Sequence, residues 1–153
     1  MYYRVGCWLA ILLCASVHAG AQAFDEEDHI NWRFSSLKQS GSEWKLVFTA
    51  VIDPGWHLYS QSTPGNGPMP VSFEFIKGKG YRLSGEVKET GNLKKSYDDV
   101  FMVDVWWYEG QVVFTQALRA AAKGTVSGEI HYSVCSGEMC VPGSVRFDLD
   151  VSN

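Results

Sequence analysis

Apolar and polar side chains alternate over long stretches of this chain. In the segment Glu43–Asp53, every second position from Trp44 to Ile52 is apolar, and polar residues such as Lys45 and Thr49 lie between them. A period of two residues is typical of a β-strand that buries one face and exposes the other. The segment therefore predicts a half-buried strand.

The same pattern recurs as far as the C-terminus. Val145, Phe147, Leu149 and Val151 alternate with polar or charged residues and predict the last strand. Similar runs predict strands at His29–Ser35, Trp56–Ser60, Val71–Lys77, Tyr81–Lys88, Val100–Tyr108, Gln111–Leu118 and Thr125–Val134.

Turn-forming residues separate these runs. They lie at Asp53-Pro54-Gly55, Gly78-Lys79-Gly80, Glu109-Gly110 and Lys123-Gly124. The one helix candidate, Ala117–Lys123, is interpreted as a strand end followed by a loop. Eight or nine short strands at this spacing predict an all-β fold, an antiparallel β-sandwich that is immunoglobulin-like in the broad sense.

Two segments lack a strong period and are predicted to be loops. Gln61–Pro70 contains three prolines, and its glycines lack the context of a phosphate-binding loop. Glu89–Asp99 is polar apart from Leu93 and Tyr97. We interpret it as a mobile loop with two apolar anchors.

The N-terminus has the pattern of a secretory signal. Arg4 precedes the apolar run Val5–Ala15, which is too short to span a bilayer as a helix. Small residues follow, and cleavage is expected after Ala21 or Ala23. Residues 1–23 are therefore predicted to be a signal peptide.

The remaining residues, 24–153, are enough for one domain with its own core. The whole chain carries 17 acidic and 13 basic side chains, a net charge of −4, and loss of Arg4 makes the exported part more acidic. An acidic domain without a basic stripe is a poor candidate for binding nucleic acid. This part of the chain also contains no apolar run long enough for a membrane helix.

The exported part keeps two of the four cysteines, Cys135 and Cys140. Export places them where disulfides form and persist. In the strand before them, Ile130, Tyr132 and Val134 are expected to face the core, so Cys135 faces the other way, toward the surface or a groove. The pair therefore flanks a turn between the last two strands.

Three interpretations of the pair remain open at this point. A structural disulfide across so short a loop stabilises by only about 2 kcal/mol. A redox pair needs the proximity and access that a turn supplies, although a carboxylate at Glu138 disfavours a thiolate that it faces. A copper(I) site is the minor alternative, with Met139 and His131 joining Cys135 and Cys140 as soft ligands.

Two blocks of residues resemble a known family. They are Gly55–Ser60 (GWHLYS) and Tyr132–Pro142 (YSVCSGEMCVP). Together they resemble the N-terminal periplasmic domain of the thiol:disulfide interchange protein DsbD, over about residues 27–152. Four residues separate the two cysteines here, whereas the best-known members have five.

The resemblance implies an immunoglobulin-like sandwich that relays electrons in the periplasm. Such a domain accepts electrons from a thioredoxin-like domain and passes them to periplasmic acceptors, including disulfide isomerases and the thioredoxin-like protein of cytochrome c maturation. By resemblance, Cys140 forms the mixed disulfides and Cys135 resolves them. His57 and Tyr59 match positions beside the cysteines, and Leu93 is the nearest apolar candidate for a cap loop that shields them.

The resemblance further suggests a stand-alone version of the domain, because the chain ends at Asn153 without the membrane and thioredoxin-like domains of DsbD. It would work with thioredoxin-like proteins as one component of a protein-disulfide reductase system. A separately encoded membrane protein would donate electrons, and no cofactor is expected.

Two other function classes are weighed against the relay. A carbohydrate-binding module would use exposed aromatic side chains, for which Trp106-Trp107-Tyr108 is the candidate. Neighbouring strand residues face opposite sides, so one of the two tryptophans is expected to lie in the core. A purely structural adaptor would use the sandwich as a docking surface.

Overall fold

The computed structural model describes residues 28–151, and this range contains ten β-strands and no helix. The predicted signal peptide, its cleavage positions Ala21 and Ala23, and the start of the domain at residue 24 lie outside the described residues. Across residues 28–151, no helix is long and apolar enough to cross a membrane.

The strands follow one another through the described range. They are β1 (Ile30–Ser40), β2 (Glu43–Ile52), β3 (His57–Tyr59), β4 (Ser72–Phe75), β5 (Tyr81–Gly91), β6 (Lys94–Asp98), β7 (Val103–Tyr108), β8 (Gln111–Ala120), β9 (Gly124–Cys135) and β10 (Cys140–Val151).

Two antiparallel sheets face each other. One has the order β1-β2-β8-β5, and the other has the order β10-β9-β3-β7-β6, with β4 also pairing with β9. Strands β3 and β4 pair with β9 at successive positions along it. The predicted all-β, immunoglobulin-like antiparallel sandwich is confirmed.

The core lies between the sheets and is rich in aromatic side chains. On β2 the alternation holds, since every second side chain from Trp44 to Ile52 is buried and those between them are only partly buried. Phe48 contacts Phe147 of the opposite sheet edge-on, with ring centroids 4.8 Å apart. Such a contact adds about 0.5–1.5 kcal/mol to the burial of the two rings.

The prediction of a loop over Glu89–Asp99 is wrong, because β5 continues to Gly91 and β6 begins at Lys94. Strand β6 is the edge of its sheet and exposes side chains on both faces. A strand that is exposed on both sides has no apolar face, so its sequence lacks the alternation on which the prediction depended.

The strand predicted from Val100 begins only at Val103. The residues before it form the turn between β6 and β7, in which the Asp98 carboxylate accepts the backbone N–H groups of Val100 and Phe101. Met102 closes this turn with a φ of 57°. The predicted strand is therefore three residues too long at its start, because the exposed turn also contains apolar side chains.

At Ala117–Lys123 the interpretation as a strand end and loop is correct, because β8 runs to Ala120.

Candidate functional site

The two cysteines lie directly opposite each other at the turn end of the β9–β10 hairpin. Cys135 pairs with Cys140 in the register, and the two form a disulfide with a Cα–Cα distance of 4.0 Å. The Ser136 N–H donates to the Met139 carbonyl at 2.8 Å, and the Ser136 hydroxyl accepts the N–H of Glu138. The turn is thus closed by its own hydrogen bonds as well as by the sulfurs.

The two sulfurs belong to residues of very different exposure. Cys135 is only 1% exposed, whereas Cys140 is exposed. Strand β9 lies inside the sheet, with β3 beside Cys135, while β10 is an edge strand. A partner in solution can therefore approach the disulfide only from the Cys140 side.

Cys135 faces away from the main core, as expected, but it is covered. It forms a small second hydrophobic cluster with Tyr59 and Val105 on the outer face of the sheet, and Trp107 packs against this cluster. The proline-rich loop Gln61–Pro70 packs on the outside of this cluster. At Gly67 the loop backbone is so near that a Cβ atom there would lie 3.7 Å from the Val105 side chain.

The structure brings His57 and Tyr59 to the disulfide. His57 of β3 is the cross-strand partner of Cys135, and side chains of such partners lie on the same face, with Cβ atoms about 5 Å apart. The imidazole meets the ring of Tyr59 edge-on at 4.9 Å and lies 5.9 Å from the ring of Trp107. Four of the predicted site residues are thus on one patch of the outer face.

A groove of about 180 Å³ continues this patch across the sheet. Its lining comes from β3, β6 and β7 and consists of His57, Tyr59, Ser96, Tyr97, Asp98, Val105 and Trp107. The sequence offers no reason to select Ser96 or Asp98, and it suggests Trp107 only as a sugar-binding aromatic, because nothing in it indicates that β6 and β7 lie beside β3.

Three ionisable groups around the groove have shifted pKa values. Burial lowers the pKa of His57, an effect that the nearby Glu109 partly opposes. Glu109 accepts hydrogen bonds from Lys94 at 2.6 Å and from the Trp107 indole at 3.2 Å, and these bonds lower its pKa. Burial, followed by the charge of Asp98, raises the pKa of Tyr59. Burial thus favours the neutral forms of the His57 imidazole and the Tyr59 phenol beside the disulfide.

Leu93 lies outside the strands, between β5 and β6. It precedes β6, and β7 and β3 separate β6 from β9. Three strand spacings correspond to about 14 Å, and the Leu93 side chain is 38% exposed. The register does not place Leu93 beside Cys135, and its function as a cap stays a prediction.

The candidate sugar-binding aromatics do not form a platform. Trp106 and Trp107 are both partly exposed, so the expectation that one lies in the core is wrong. They lie on β7 next to the edge strand β6, at the margin of the sheet rather than over its buried centre. As sequence neighbours on a strand they point to opposite faces, and Lys95 lies 5.3 Å above the ring of Trp106.

Of the four soft ligands considered for copper(I), Cys135 and Cys140 are joined in the disulfide. Within the described residues, no group of three or more histidine, cysteine, aspartate or glutamate side chains could hold a metal ion. His131 lies four residues before Cys135 on β9 and faces Glu74 at 3.7 Å. Met139 is exposed at the turn.

Comparison with known proteins places this geometry in a family. The family model described as "Thiol:disulfide interchange protein DsbD, N-terminal" matches residues 21–152. A search of curated proteins gave no match.

Solved structures share the fold. The N-terminal periplasmic domain of ScsB from Proteus mirabilis is 19% identical, with a TM-score of 0.63 over 84% of this chain and 49% of that one. The chain thus spans about half the length of that structure. The complex between the DsbD and PilB N-terminal domains from Neisseria meningitidis matches at 14% identity and a TM-score of 0.51, over 83% of this chain and 87% of that one. With a family match over nearly its whole length, this chain belongs to the family of the N-terminal domain of the thiol:disulfide interchange protein DsbD.

Proposed function

We propose that this domain relays reducing equivalents between thioredoxin-like proteins in the periplasm through the Cys135–Cys140 pair. The observation that carries the proposal is the unequal exposure of the two cysteines, since Cys140 is exposed and Cys135 is 1% exposed. An exchange pair needs one sulfur that a partner can attack and a second sulfur that is held close enough to resolve the intermediate. A hairpin with an exposed edge strand supplies both.

In the proposed reaction, a thiolate of the electron donor attacks Cys140 Sγ. The intramolecular S–S bond breaks, Cys135 leaves with the electron pair, and a mixed disulfide joins the donor to Cys140. The second thiol of the donor then attacks this mixed disulfide, which oxidises the donor and leaves the domain as a dithiol. Delivery to an acceptor reverses the roles, because the Cys140 thiolate attacks and Cys135 resolves.

The groove beside the pair supports docking of another protein domain. His57 and Tyr59 form its wall next to Cys135, and the exposed ring of Tyr97 lies at its other side. The proposed donor is a membrane protein, and the proposed acceptors are thioredoxin-like. Periplasmic location and removal of residues 1–23 are part of the same proposal.

Trapping experiments test the assignment of roles. We expect Cys135→Ala to accumulate a mixed disulfide with a purified thioredoxin-like protein, because the resolving thiol is missing. Cys140→Ala should give no such adduct, because its only remaining site cysteine is buried. Both variants are prepared with Cys7 and Cys14 replaced by alanine, and adducts are read by non-reducing electrophoresis and mass spectrometry.

Each outcome of the trapping experiment has a defined meaning. If Cys140→Ala traps the partner and Cys135→Ala does not, the roles of the two cysteines are reversed. If neither variant traps a partner and both remain folded, the relay proposal fails.

A further inference from the structure

A buried serine hydroxyl lies against the buried sulfur of the pair. Ser133 is two residues before Cys135 on β9, so both side chains are on the same face of the strand. Ser133 is 6% exposed, and its Oγ lies 3.5 Å from Cys135 Sγ. A disulfide sulfur carries no hydrogen, so the serine hydroxyl is the donor in this contact.

The hydrogen bond from the Ser133 hydroxyl matters more in the reduced protein than in the disulfide form. In the proposed exchange, Cys135 leaves as a thiolate, and burial disfavours a charged sulfur unless a donor or a cation stabilises it. A neutral thioether-like sulfur is a weak acceptor, whereas a charged acceptor binds a donor about twice as strongly. The contact should therefore strengthen when the S–S bond breaks.

The charged groups near Cys135 do not supply that stabilisation. On β3, the neighbouring His57 has a pKa lowered by burial, and in the turn after β7 the acidic Glu109 holds the Lys94 ammonium at 2.6 Å. Glu138 in the turn is an acidic residue and offers no cation. On β9 itself, His131 faces Glu74 rather than the sulfur.

We propose that Ser133 is a positioning residue for thiol–disulfide exchange, whose hydroxyl donates a hydrogen bond to the Cys135 thiolate as the disulfide opens. This inference rests on the proposed function, because it assigns Cys135 as the leaving and resolving sulfur. In the forward step, the donor's thiolate bonds to Cys140 Sγ, Cys135 Sγ takes the electron pair of the broken bond, and the Ser133 proton stays on its oxygen. Cys135 later takes up a proton from solvent.

The test compares side chains at position 133 that differ in the hydroxyl. Ser133→Ala removes it, and Ser133→Thr keeps it. Ser133→Val has the shape of threonine without the hydroxyl, so the Thr/Val comparison still works if the alanine variant does not fold. Ser127→Ala is the matched control, since Ser127 is on the same strand and its hydroxyl bonds to Asp148, far from the sulfurs.

The main readout is the titration of Cys135 in the reduced protein, followed by the ¹³Cβ NMR shift of that residue. Loss of one hydrogen bond to a charged group should lower the thiolate fraction of Cys135 at neutral pH about tenfold in the alanine and valine variants. Reduction of the oxidised protein by dithiothreitol should slow in the same variants, because a leaving thiol of higher pKa leaves more slowly. Ser133→Thr and Ser127→Ala should behave like the wild type.

A purely structural role for Ser133 predicts a different pattern. The alanine and valine variants would then lose stability, while the Cys135 titration and the dithiothreitol rate would stay within a factor of two of the wild type. That result overturns the inference. Neither measurement uses a protein partner, so a failure to trap thioredoxin-like proteins would refute the proposed function and leave the inference about Ser133 to be judged separately.

Discussion

Reduction of the Cys135–Cys140 disulfide should leave the domain folded. A redox pair must open and close in a native protein, whereas a structural disulfide in a small exported domain is often needed for folding. We therefore expect the free energy of unfolding to fall by no more than about 2 kcal/mol when the pair is reduced.

The magnitude follows from the position of the cross-link. The two cysteines are five positions apart, and closing a loop of that length in the unfolded chain costs about 2 kcal/mol at 25 °C on the chain-entropy estimate. The hairpin does not depend on the sulfurs, because pairing continues from Val141 opposite Val134 to Val151 opposite Gly124. The chain-entropy value is thus an upper estimate for the loss.

The assay is urea unfolding followed by tryptophan fluorescence, with and without dithiothreitol. The double variant Cys135→Ala/Cys140→Ala controls for effects of the reductant, and its unfolding curve should be the same in both buffers. The slope of the free energy against urea should also be unchanged, since reduction exposes little extra surface. A loss above about 4 kcal/mol, or loss of cooperative unfolding on reduction, would show that the disulfide is a structural staple.

Two further predictions concern the fold around the site. The pKa of His57 is lowered below 6.5, so the contribution of the neutral imidazole to stability is complete above pH 6.5 and is lost as the pH falls toward the lowered pKa. The free energy of unfolding should therefore fall less for His57→Gln than for the wild type between pH 7.5 and 5.5. Equal losses for the two proteins in urea unfolding would contradict this prediction. Gly128→Ala should lower the free energy of unfolding by about 2 kcal/mol or more, because its Cβ would lie 2.4 Å from both the Glu74 carbonyl and the Phe147 ring. Gly137→Ala, where no atom lies within 4 Å, is the control and should be close to neutral; equal effects would refute the packing argument.

The sequence predicts the strands that bury one face. Strands β2 and β10 alternate between apolar and polar residues because one side of each packs into the core. Strand β6 gives no such signal, because it is an edge strand exposed on both faces. The turn with Val100 and Phe101 gave a false strand signal, because alternation does not distinguish exposed apolar residues near a strand from buried ones.

The candidate site is predictable only in part. The sequence predicts that Cys135 and Cys140 flank a turn between the last two strands, and it leaves the chemistry of the pair open between three interpretations. The neighbours of the pair depend on the strand order β9-β3-β7-β6, which leaves no pattern in the sequence. That order places His57 opposite Cys135 and puts Trp107 in the groove.

The reduction potential of the Cys135–Cys140 pair is the most direct test of a role in electron relay. The purified protein is equilibrated with glutathione or dithiothreitol buffers of defined potential, and the oxidised fraction is measured by alkylation and mass spectrometry. We expect a potential above about −300 mV, the range of labile and catalytic disulfides. A pair that stays oxidised until well below that value would be a structural disulfide and would contradict the relay.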